Sequence, residues 1–210
     1  MWILNQPLES VIALVLAIII ALSVHEFSHA LAADQLGDDT PRLQGRLTLN
    51  PLAHLDLMGS LMFILAGFGW ARPVQINPYA IQRRHPAGLM IVAAAGPFSN
   101  LLLAIVATIP IQAGLISVTS SSFLSQFFRA FIYINLILLF FNLLPIFPLD
   151  GEKILDFFLP PRGQDVLRQI RPYGMYILLG LIILGSFSNF DIFYLIIVKP
   201  AESLFGLLVL

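Results

Sequence analysis

Four apolar runs dominate the chain, and each approaches the length that a bilayer imposes. A helix needs about 20 apolar residues to cross the hydrocarbon core. The runs cover residues 8–33, 87–112, 126–146 and 173–198. Only 11% of the 210 residues are charged, against about 25% in an ordinary soluble domain, and the mean hydropathy is +0.88. Inside lipid every backbone N–H and C=O must be satisfied by the chain itself, and helices do this segment by segment. The expected fold is therefore an all-α polytopic membrane protein with about 4–6 transmembrane helices. A single membrane domain is expected over 1–210, with its core at 8–160 and one or two C-terminal helices in 173–210.

Two stretches leave the count open. Residues 57–68, "LMGSLMFILAGF", are apolar but short, and fit a re-entrant hairpin, a short tilted helix or a buried strand. Gly185, Ser186, Ser188 and Asn189 interrupt the last run, which is one helix or two. The segment ahead of the first run, "MWILNQPLES", carries Glu9 and no Lys or Arg. The first run therefore reads as a span and not as a secretory leader.

Arginine placement orients the spans. Arg42, Arg46, Arg72, Arg83 and Arg84 lie between the first and second runs, and Lys153, Arg162, Arg168 and Arg171 between the third and fourth. Residues 113–125 carry no charge. The positive-inside rule then places 34–86 and 151–172 in the cytoplasm and 113–125 outside. Residues 57–68 are expected to dip into the membrane and return, because a full crossing would strand Arg72, Arg83 and Arg84. No dense Lys/Arg cluster suits a nucleic-acid backbone. With no cysteine in the chain, disulfides, thiolate metal sites and cysteine nucleophiles are excluded.

The first run ends in "HEFSHA", which puts His25, Glu26 and His29 at a membrane-helix end. Ionisable groups there are costly unless something compensates. From the His and Glu content of this chain, chance gives His-Glu-x-x-His in roughly one chain in 700, so the match is informative. On a helix His25 and His29 stand one turn apart on one face and can share an ion, while Glu26 adjoins it. In zinc hydrolases the metal acidifies a water and the neighbouring carboxylate takes its proton. Such a zinc has three protein ligands as a rule. The acidic candidates for the third are Asp34, Asp38, Asp39, Asp56, Asp150, Glu152 and Asp156, with His54 beside Asp56, and Asp34 to Asp39 follow the motif too closely to fold back without a turn. Asp150 is preferred, since it follows a span and the helix-breaking Pro145 and Pro148.

Three motifs in order, "HEFSHA", "AGPFSN" and "NLLPIFPLDG", resemble the site-2 protease family of intramembrane zinc metalloproteases. The stretches "GRLTLNPLAHLD" and "FGWARPVQINP" resemble its short prokaryotic branch without PDZ or CBS domains. The resemblance spans residues 8–160. It implies one Zn2+ per chain held by His25, His29 and Asp150, with Glu26 as catalytic base. Asn142 matches the family asparagine that steadies the substrate carbonyl or oxyanion. It further implies a transmembrane protein substrate, cleaved near the cytoplasmic side of a prokaryotic cell membrane. Asn100, Gly96 and Pro97 read as packing residues, and His54 as a hydrogen-bonded loop histidine. The stretch "GFGWARPVQINP" reads as extended chain, either a strand edge for substrate or an interfacial loop. The competing function is a metal or proton transporter built on the same His/Asp cluster, which predicts polar residues strung along several spans. A metal-stabilised structural protein without turnover is a further rival.

Overall fold

The computed structural model describes residues 6–66, 69–187 and 192–209. Among them the chain is helical, without a β-strand. Three helices are long and apolar enough to cross a bilayer: α1 (Leu8–Gln35), α5 (Gly88–Gln112) and α6 (Phe123–Asn142). Each packs against the other two.

Small side chains draw these helices together. In α1, Ala13, Ala17, Ala21, His25, His29 and Ala33 are buried at intervals of four residues. Leu8, Ile12, Leu16 and Ile20, at the same interval, are exposed. The pattern puts small residues inside and large apolar ones outside. It suits a helix surrounded by lipid, where close backbone approach and not water exclusion drives association. Ala17 meets Ala104 and Ala107 of α5 and Ile132 and Leu136 of α6 in one core cluster, joined by Ala201. The inward stripe of α1 continues without a break into the two histidines, so helix packing itself aims them at α5.

Between α1 and α5 the chain makes α2 (Thr40–Leu43), a turn at Pro51–Ala53, α3 (Leu57–Ala66) and α4 (Pro78–Arg84). Asp56 accepts a hydrogen bond from the Gly59 N–H at 2.8 Å and so caps α3. The ten residues of α3 extend about 15 Å, half a hydrocarbon core. Leu55 bridges back to Ala71, so both ends of the excursion lie together. Of the readings open for 57–68, the short helix holds over the described part, and the chain comes back to where it left. Residues 67–68 lie outside the described residues.

The chain beyond it is extended and anchored along its length. The Arg72 N–H donates to the His54 carbonyl at 2.7 Å. The buried Arg46 guanidinium donates to the carbonyls of Ala53 and, at 3.2 Å, of Arg72. Buried Asp38 accepts from the Asn77 N–H at 2.6 Å.

The third span ends at Asn142 and not at 146. Pro145 disfavours helix at the residue before it, and 143–149 form a turn leading into α7 (Asp150–Phe158). That helix packs on α5. Beyond α8 (Pro161–Ile170), α9 covers Gly174–Phe187 and includes Gly185 and Ser186. Ser188 and Asn189 lie outside the described residues. Helix resumes before α10 (Lys199–Val209), which returns onto α5 and α6. Arg171 Nε donates to Glu152 Oε1 at 2.8 Å, tying the segment before α9 to buried Glu152 of α7.

Ala17→Leu is expected to force α1 away from α5 and α6, at about 1–3 kcal/mol for overpacking. A lowered melting temperature in detergent checks this, with Leu16→Ala on the exposed face as the near-neutral comparison.

Candidate metal centre

Three elements meet at one end of the bundle: the last turns of α1, the first turns of α5 and the start of α7. They bring His25, His29 and Asp150 together as buried residues. His25 Nε2 lies 3.0 Å from His29 Nε2. Asp150 Oδ2 stands 3.3 Å from the first and 3.2 Å from the second.

Protons decide what this triangle is. His29 Nδ1 lies 2.7 Å from the Val92 carbonyl, and His25 Nδ1 lies 2.7 Å from Asn100 Oδ1. Both partners accept, so each Nδ1 carries the hydrogen. A neutral imidazole protonated at Nδ1 has a bare lone pair at Nε2. Two lone pairs and a carboxylate oxygen therefore face one another. Asp150 Oδ2 is buried with no hydrogen bond. A cation is what such a set lacks. Tetrahedral zinc, with bonds of about 2.0–2.2 Å, sets its ligand atoms about 3.3–3.5 Å apart. The separations of 3.0–3.3 Å are at or up to about 0.3 Å below those distances, so the donor set fits zinc in chemistry and, after a small outward shift, in spacing.

Glycine makes room for it. A Cβ on Gly96 would stand 2.6 Å from His25 Cε1 and would also strike His29 Nε2. The imidazoles thus lie directly on the α5 backbone. A Cβ on Gly151 would meet the Leu144 carbonyl at 2.5 Å, so glycine after Asp150 lets α7 begin against the preceding turn.

A cavity of about 140 Å³ opens beside the three atoms. Glu26, Pro73, Val74, Asn142, Pro148 and Lys153 line it along with the triad. Glu26 Oε2 accepts a hydrogen bond from the Val74 N–H at 3.1 Å. Asn142 Nδ2 donates to the Leu138 carbonyl at 3.0 Å, and an amide nitrogen carries a second hydrogen.

The chain is 40% identical over 191 residues to YwhC of Bacillus subtilis, named as a zinc metalloprotease, covering 88% of this chain and 87% of the relative. It is 31% identical over 201 residues to Rip2 of Mycolicibacterium smegmatis, which carries the same description, covering 90% and 75%. This chain belongs to peptidase family M50, the site-2 protease family. The family's own model matches residues 109–185, a stretch holding Asn142 and Asp150. No solved structure matches. With three bilayer-length helices, this M50 chain is an integral membrane zinc metalloprotease.

Of the acidic residues weighed as third ligand, Asp150 alone among the described residues joins the histidines in a metal-capable group. Asp56 caps α3, and Asp34 accepts from Arg42 at 2.8 and 2.7 Å. His54 is fully buried and donates from Nε2 to the Thr48 carbonyl at 2.7 Å. Asn100, read as a packing residue, reaches His25 directly. Sequence reasoning passed over Lys153, Val74 and Asn135. Asn135 left a signal: a polar residue inside "FIYINLILLFF", seven before Asn142 and so on the same helical face.

Gly96→Ala is expected to displace both imidazoles and weaken zinc binding by tenfold or more while the protein still folds. Equilibrium zinc titration against a competing chelator reads this out.

Proposed function

We propose that this protein hydrolyses peptide bonds of transmembrane substrates near the cytoplasmic edge of a prokaryotic cell membrane, using one zinc ion per chain. The observation that carries this reading is the convergence of two imidazole lone pairs and a buried carboxylate oxygen, with Glu26 on the wall of the same cavity. His25, His29 and Asp150 are the ligands. Zinc, when bound, supplies Lewis acidity that activates water and polarises the scissile carbonyl.

The remaining steps belong to the chain. Glu26 is the general base. The Val74 N–H holds its Oε2, and Oε1 takes the proton of the attacking water and passes it to the leaving amine. Asn142, on the same cavity wall, offers the N–H not committed to Leu138 to the developing oxyanion. The substrate unwinds locally, because helical hydrogen bonds shield its peptide groups. Its cleaved segment lies toward the cytoplasm, the side on which the arginines of 34–86 and the cations of 151–172 gather. Cavity-lining polar groups admit the water that hydrolysis consumes.

Purified protein and a single-pass substrate test the assignment. Glu26→Gln is expected to keep its zinc and lose about 10²–10⁴-fold or more in cleavage rate. Retained cleavage would reject Glu26 as the base. Asp150→Ala is expected to lose stoichiometric zinc, as measured by elemental analysis of the purified protein. Zinc flux into liposomes without cleavage would favour the transporter instead.

A further inference from the structure

Asn135 lines no part of the cavity, yet it is 0% exposed in the middle of an apolar helix. An apolar side chain would be the cheaper occupant of such a place unless the amide has a task. Its hydrogen bonds lead to the metal site. Asn135 Nδ2 donates to the Phe131 carbonyl of its own helix at 2.8 Å. That bond turns the oxygen end toward α5, where Asn135 Oδ1 accepts from Asn100 Nδ2 at 2.8 Å. The same nitrogen of Asn100, also 0% exposed, lies 3.5 Å from the Ala21 carbonyl of α1. With its nitrogen end so committed, Asn100 presents Oδ1 to His25 Nδ1 at 2.7 Å.

We infer that Asn135 is a positioning residue for the metal: through Asn100 it holds His25 in the tautomer that bares Nε2. The inference rests on the reading of His25 as a zinc ligand. A primary amide has one end of each kind, and rotation by half a turn exchanges them. Asn135 Oδ1 fixes which end of Asn100 faces inward. Without it the Asn100 amide is free to turn its NH2 toward His25. The imidazole then keeps a lone pair at Nδ1 and carries its proton at Nε2, where the proton occupies the position needed by the ion. Asn135 thus acts on the metal from two side chains away and touches neither substrate nor ion. A ligand's outer partners typically change metal affinity by 10–100-fold, and the relay crosses α1, α5 and α6 with no exposed member.

The test is the zinc affinity of metal-stripped, detergent-purified protein, by competition with a chromophoric chelator. Asn135→Leu is expected to weaken zinc binding by about 10–100-fold. The double variant Asn135→Leu/Asn100→Asp is expected to recover affinity, because a carboxylate offers His25 an oxygen whichever way it turns. A packing role for Asn135 predicts no such recovery. Thermal melting establishes that each variant is folded, and Asn135→Ala removes the same acceptor where leucine does not fit. Unchanged affinity in a folded Asn135 variant overturns the relay, as does a loss that Asn100→Asp fails to restore. Failure of the wild type to take up zinc overturns the metalloprotease reading, and the relay falls with it.

Discussion

Three electron pairs point at one another on the wall of a partly buried cavity. Everything else at this end of the molecule follows from that constraint. With both imidazoles neutral, two Nε2 lone pairs face a carboxylate oxygen at 3.0–3.3 Å, and a cation or a shared proton relieves the repulsion. The fold supplies the restraints that keep the groups together. The Val92 carbonyl and Asn100 Oδ1 fix the outer nitrogens, and Gly96 leaves the imidazoles resting on backbone. A site so held is preorganised, and the ion meets ligands already oriented.

That preorganisation is inherited from the packing of the spans. The interval of four that places Ala13, Ala17 and Ala21 against neighbouring helices also places His25 and His29. One periodicity thus serves both association in lipid and the placement of the two imidazoles. Asp150 arrives by a short turn after α6 because Pro145 ends that span early and Gly151 allows α7 to start within reach.

Much of this was legible in the sequence. The apolar runs matched three of the helices to within a few residues, and the placement of Arg72, Arg83 and Arg84 implied that 57–68 returns, in keeping with the bridge from Leu55 to Ala71. His25, His29 and Asp150 were readable from spacing, breakers and family likeness, and the structure brings them together. The rest depended on distances that spacing does not carry. Asn100 looks like an interhelical packing residue until His25 is seen 2.7 Å away. Asn135 gains meaning only through Asn100. Arg46 counts in the sequence only as one of the orienting cations, yet it is buried and donates to two carbonyls. Such residues act through partners distant in sequence, and local pattern has no access to those partners.

Two contacts that orient the reacting groups come from the main chain: the Val74 N–H on Glu26 and the Val92 oxygen on His29. Every amino acid carries a carbonyl, and every one but proline an N–H. The partly exposed position 74 is therefore free to vary in side chain without losing its N–H, whereas Val92 is also held by core contacts with Ala33 and Ile81. Part of this enzyme's machinery thus sits in the polymer backbone, and a proline at position 74 would remove it outright.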